Sequence, residues 1–169
     1  MDKKIMMKKL KFTLVLSLIT IVSFAQESPR KQATGKVGIV TIDIDYGSPS
    51  VKGRTIWGEL VPYGEVWRAG ANENTTVSFD EDVTVGDTKV EAGKYGFFII
   101  PYENKEWTII LNSKNDAWGA FSYNQEDDVL RMNVKPMNMD KNQEALDYAI
   151  GDKEIIIKWE KVKIVIPVQ

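Results

Sequence analysis

Short runs of β-branched and aromatic residues, broken about every ten residues by Gly, Pro or Asn, limit what this chain can fold into more than any other feature. In Val37–Tyr46, Val40, Ile42, Ile44 and Tyr46 alternate with Ile39, Thr41, Asp43 and Asp45, and Gly47-Ser48-Pro49 ends the run. That is the period of a strand with one dry face and one wetter face. Thr75–Phe79 and Val83–Val85 follow, and Gly86-Asp87 forms the centre of a two-residue hairpin into Thr88–Val90. Tyr95–Ile100 and Trp107–Leu111 are nearly continuous apolar runs, the mark of central strands buried on two faces. Val129–Lys135 places Leu130, Met132 and Val134 on one side, Glu144–Ile150 alternates through Leu146, Tyr148 and Ile150, and Glu154–Trp159 and Val162–Val168 close the chain. EALDYAI at 144–150 would also fit two helical turns, but nothing caps such a helix and its neighbours are strands. About nine such runs predict an all-β domain, an antiparallel sandwich or a related jelly roll, with little helix.

Residues 1–25 read as a cleaved secretory signal. Lys3, Lys4, Lys8, Lys9 and Lys11 precede the apolar run Phe12–Val22, which is followed by Ser23-Phe24-Ala25. A run of eleven residues falls well short of the roughly 20 that a spanning helix needs. No later segment is long enough either, so no transmembrane anchor is expected after cleavage. The expected product is an exported protein, periplasmic or secreted. Residues 26–36 are polar and aperiodic and are expected to form a flexible lead-in, leaving 37–169 as one sandwich domain.

Charge and composition exclude several chemistries. Loss of five Lys and one Asp with the signal leaves 17 basic and 23 acidic residues, a net charge of −6. Such a surface opposes nucleic-acid binding, which depends on Lys and Arg neutralising phosphates. The chain has neither His nor Cys. Histidine-based triads, thiol nucleophiles, disulfides and the common transition-metal ligands are therefore missing, as are the glycine-rich nucleotide loops and the nucleophile elbow. No cofactor and no metal is expected. Asp80, Glu81, Asp82 and Asp87 lack the spacing of a calcium loop and read as a solvated strand connection, and Asp43 and Asp45 read as an exposed strand face.

Two long segments interrupt the strand pattern, and long loops carry function more often than strands do. The first, Gly53–Thr76, reads GRTIWGELVPYGEVWRAGANENTT; the second, Asn112 to Asp128, holds Trp118, Gly119, Phe121 and Tyr123. Arg54 and Arg68 are planar cations suited to a carboxylate, sulfate or phosphate, Trp57 and Trp67 offer flat apolar faces, and Asn72 and Glu73 suit hydroxyls. The competing reading is that each Arg pairs with a carboxylate and ties down loop carbonyls. Trp57, Trp67 and Trp118 are either a platform for a ring or part of the core, whereas Trp107 and Trp159 lie within strand patterns and are assigned to packing. Asn74-Thr75-Thr76 matches a glycosylation triplet that carries no information behind a bacterial-looking signal.

The chain resembles the exported bacterial domain-of-unknown-function family 2911. The residues that carry the resemblance are SPR at 28–30, VTIDIDYGSPSVKGRTIWGELVPYGEVWRAGANENTTVSF at 40–79, EAGKYGFFIIP at 91–101, WTIILN at 107–112 and WGAFSY at 118–123. Gly53, Arg54, Gly58, Pro62, Gly64, Trp67, Arg68, Gly70, Ala71, Asn72 and Thr75 match the family's signature. The resemblance implies a secreted, single-domain β protein and assigns no catalytic residue.

Three functions remain open at this level. The first is an extracytoplasmic module that binds a small polar or anionic ligand through Arg54, Trp57, Trp67, Arg68, Asn72 and Glu73. A carboxylate-dependent hydrolase acting on envelope or glycan material is the second, with Glu73 as the best-placed acid or base and Asp116 behind it. The third is a structural envelope protein that docks an unspecified partner through its strand edges.

Overall fold

A computed structural model describes residues 27–169, so the signal segment 1–25 lies outside the described residues. Ten strands appear in chain order: β1 Arg30–Val37, β2 Val40–Gly47, β3 Thr76–Phe79, β4 Val83–Val85, β5 Thr88–Val90, β6 Gly93–Ile100, β7 Trp107–Asn112, β8 Asp128–Val134, β9 Met137–Ile150 and β10 Glu154–Pro167. The only helical element among the described residues is a 3₁₀ turn at Gln125–Asp127, capped by the side chain of Asn124.

Six strands form one antiparallel sheet in the order β1-β2-β3-β6-β7-β8. The opposing layer is built on the long β9–β10 ribbon. The β4–β5 hairpin extends that layer, because Thr84 and Gln169 exchange backbone hydrogen bonds and Val85 bridges Val168. On the ribbon's other side Ser50 bridges Ala145, with Val51 N–H donating to Glu144 O and Leu146 N–H to Pro49 O. Two antiparallel layers face each other: the chain is an all-β, sandwich-like domain.

The dry faces follow the alternation in the sequence. Ile42, Ile44 and Tyr46 of β2, Val77 and Phe79 of β3, and Trp107, Ile109 and Leu111 of β7 bury against Leu146 and Tyr148 of β9 and Ile157, Trp159 and Ile164 of β10. The middle of the large sheet is covered on its outer side as well. Phe98, Ile100 and Ile110 form a second cluster there under Val66, Ala120 and Tyr123, which is why β6 and β7 read as unbroken apolar runs.

β10 is one strand where the sequence predicts two. Its buried positions are odd-numbered up to Trp159 and even-numbered from Ile164 onward, and the pairing with β9 shifts on both sides of Glu160. Glu160 sits at φ 54°, so one bulged residue absorbs the change of face without breaking the strand.

The expected flexible lead-in at 26–36 is overturned for most of its length. Arg30–Val37 is the edge strand β1, paired residue for residue with β2 from Arg30–Gly47 to Val37–Val40. Its outer residues are solvated, and its inward positions are small because β9 runs close behind them. A Cβ on Gly35 would stand 2.6 Å from the Cβ of Ile150. The apolar alternation by which a strand is recognised is therefore absent, although β2 supplies a full set of backbone partners.

Candidate functional site

The segment between β2 and β3 has almost no regular structure, yet it is anchored throughout by specific bonds. Ser48 Oγ donates to the Leu146 carbonyl, and Trp67 exchanges both backbone hydrogen bonds with Ile99, so this segment takes over from β3 as the neighbour of β6. Ala69 adopts φ 51°, and its carbonyl accepts from the hydroxyls of Tyr148 at 2.6 Å and Thr75 at 3.2 Å. Side-chain hydroxyls thus hold a left-handed backbone turn that a residue with a Cβ disfavours. Lys52 and Asn72, at φ 48° and 64°, are two more such positions in the same region.

Four tryptophans meet beneath this turn. Trp67 stacks on Trp159 with ring centroids 5.6 Å apart, and Trp57 sits edge-on to both and 4.6 Å from Trp107. Such offset and edge-to-face geometries suit the quadrupoles of the rings. Trp57 packs against the core and is not among the residues that line the cavity described next. Trp67 is buried, its indole N–H donating to Gly70 O, and it forms part of the cavity wall.

That cavity, of about 220 Å³, lies between Arg54, Arg68, Trp67, Trp159 and the Gly70-Ala71 backbone. Among the described residues no carboxylate lies within ion-pair distance of either arginine. Arg54 is exposed at the rim, where its Nε donates to Val51 O at 3.1 Å and its Nη2 to Ser50 O. Arg68 is half-buried, its Nε has no hydrogen-bond partner, and desolvation lowers its pKa from the ordinary guanidinium value. A desolvated cation without an anion is an incomplete arrangement.

An open groove of about 530 Å³ adjoins the cavity and shares Ser28 with it. Asn72 and Glu73 form one bank and Glu27–Arg30 the other. Asn72 Nδ2 donates to Ser28 O at 3.4 Å, and the exposed Glu73 carboxylate stands 3.9 Å from Arg30 Nη1, whose closer ion-pair partner is Asp45. The predicted residues therefore divide: Arg54, Trp67 and Arg68 share the cavity, and Asn72 and Glu73 share the groove.

The second long loop reaches the same place. Glu73 and Trp118 form an antiparallel bridge, flanked by Asn74 N–H to Ala117 O and Gly119 N–H to Asn72 O. Gly119 turns at φ 69°, and a Cβ there would stand 3.5 Å from Arg68 Nη1. Trp118 remains 58% exposed next to Glu73. Asp116 is exposed on this loop, two residues before Trp118, and is not among the residues that line the groove. Asn74 is buried, so the glycosylation triplet offers no accessible acceptor.

Asp80 and Asp82 each accept a backbone N–H, from Thr41 and Ala92, and act as turn caps. Among the described residues no group of three acidic side chains is arranged to hold a metal ion. Sequence reasoning missed Ser28 and Arg30, hidden in a segment read as a lead-in, and the second role of Trp159, which packs and lines the cavity at once. A strand residue that serves both layers leaves no separate mark in a periodic pattern.

Fold and site together define a sandwich-like β domain whose first long loop, with Trp159 of β10, lines a small cavity bordered by two arginines. The family described as "Protein of unknown function (DUF2911)" matches residues 28–168, and the chain belongs to it. No curated protein matches the chain, and no solved structure does.

Proposed function

We propose that this chain is an exported binding module whose cavity receives the anionic group of a small ligand such as a sugar acid. One observation carries the reading: Arg54 and Arg68 border a common cavity, neither has a carboxylate partner among the described residues, and Arg68 Nε is buried without an acceptor. A bound carboxylate would accept charge-assisted hydrogen bonds from both guanidinium groups, while Trp67 and Trp159 supply an apolar wall. The cavity is smaller than the roughly 300 Å³ at which pockets for drug-sized ligands begin, which fits one sugar-sized unit. Export rests on the lysine-led apolar segment at the N-terminus.

A thermal-shift screen against sugars, sugar acids, amino acids, nucleotides and calcium tests this. A ligand at a hundred times its Kd adds about 2.7 kcal/mol. The expected result is a shift with D-glucuronate or a similar sugar acid that disappears in Arg68→Ala and weakens in Arg54→Ala, while both variants without ligand melt close to the wild type. No shift with any anion, or an undiminished shift in Arg68→Ala, overturns the reading.

A further inference from the structure

The groove beside the arginine cavity has a composition of its own. From the pairing of Glu73 with Trp118 and the bonds on either side of it, we infer that the ligand is an oligosaccharide: an anionic terminal sugar enters the cavity, and the following neutral sugar lies along the groove against Trp118. The inference rests on the proposed role of Arg54 and Arg68 and extends it.

The geometry begins with the bridge. The flanking hydrogen bonds belong to Asn72–Gly119 and Asn74–Ala117, so Glu73 and Trp118 are a non-hydrogen-bonded pair, whose Cα atoms are the closer kind and whose side chains leave the same face. Glu73 lines the groove, and the side chain of its bridge partner Trp118 leaves the same face next to it. A 58% exposed tryptophan, held on a backbone that is bonded on both sides, presents a fixed flat face to solvent. Such a face suits the C–H side of a sugar ring, and the adjacent carboxylate of Glu73 and amide of Asn72 suit its hydroxyls.

Two further features select the class of ligand. Several backbone groups along the groove are already paired, Asn72 O with Gly119 N–H, Pro29 O with Ser48 N–H and Arg30 with Gly47. A peptide held by main-chain bonding finds few partners there. The groove also carries Glu27 and Glu73 against Arg30, and Arg30 is already paired with Asp45. Its charge does not favour a second anion, so the sugar beyond the cavity is neutral.

Calorimetric titration of the purified protein with three probes tests the inference: D-glucuronate, xylotriose, and aldotetrauronic acid, which joins one glucuronate to xylotriose. The tetrasaccharide is expected to bind about tenfold more tightly than glucuronate. Trp118→Ala should erase that gain and leave glucuronate affinity unchanged, Glu73→Gln should reduce the gain, and Arg68→Ala should remove binding of both acids. Trp118 lies outside the buried tryptophan cluster, so its variant folds. Equal affinity for the two acids in the wild type, or a gain that survives in Trp118→Ala, overturns the extension alone. Failure of both acids to bind the wild type overturns the arginine site and the extension together.

Discussion

The two long loops have the same ingredients, tryptophan, glycine and polar residues outside any strand, and the fold treats them in opposite ways. In the first, Trp57 and Trp67 turn inward to meet Trp107 and Trp159 between the layers, and the Ala69 turn is held by Tyr148 from β9. The second crosses the outer face of the large sheet, where Ala120 and Tyr123 pack on Phe98 while Trp118 and Phe121 stay in solvent, Phe121 at 92%. One loop is part of the core that happens to border a cavity. The other is an arm laid over the outer face, which meets the first where Glu73 bridges Trp118. Composition alone therefore says little about whether an aromatic loop residue packs or recognises; the layer that lies behind it decides.

The sharpest way to break this contrast is paired truncation. Trp67→Ala opens a hole between the layers and should cost about 3–5 kcal/mol in urea unfolding, whereas Trp118→Ala should stay within about 0.5 kcal/mol. Comparable losses would mean that both loops are structural. A smaller loss belongs to the β9 tyrosine that holds the first loop. Tyr148→Phe deletes the bond to Ala69 O but leaves that carbonyl the Thr75 hydroxyl, so about 1 kcal/mol is expected from the same unfolding curves.

Alkaline titration sharpens the comparison further. Burial first and the Asp128 carboxylate second push the Tyr123 phenol up to about 12 from its ordinary 10, and burial raises Tyr148 well above 10. In the unfolded chain these phenols ionise near pH 10, so above that pH the unfolded state has released protons that the folded state retains. The stabilisation is complete below pH 10 and is lost as pH rises, for Tyr123 between about pH 10 and 12. Melting temperatures followed from pH 8 to 12 should fall, less steeply in Tyr123→Phe, and least steeply in Tyr148→Phe because Tyr148 is the more buried. An unchanged slope in both variants would contradict it. The smallest effect belongs to Phe121→Ser, which should leave stability within about 0.5 kcal/mol, read from the same melts.

Much of the architecture was legible beforehand. The alternation in β2, the doubly buried runs of β6 and β7 and the Gly86-Asp87 turn all lie where the pattern placed them. β1 was not, since Ala33 and Gly35 are its inward positions ahead of Val37 and leave no apolar alternation. The site was legible as a region and not as a geometry. Arg54 and Arg68 were visible as cations in a loop, but their sharing one cavity depends on the crossing of the Gly70-Ala71 backbone over Gly47 and on Trp159 from the opposite layer.

The sequence by itself determined the fold class, the phase of most strands and the family, because side-chain alternation and turn residues act within a few positions of each other. Only the tertiary structure decided which tryptophans are core, which arginines lack a partner, and that the two loops touch. Those outcomes depend on strands that meet across about a hundred residues, as Tyr46 and Tyr148 do at a separation of 102, and no local pattern records what a distant layer will place behind a side chain.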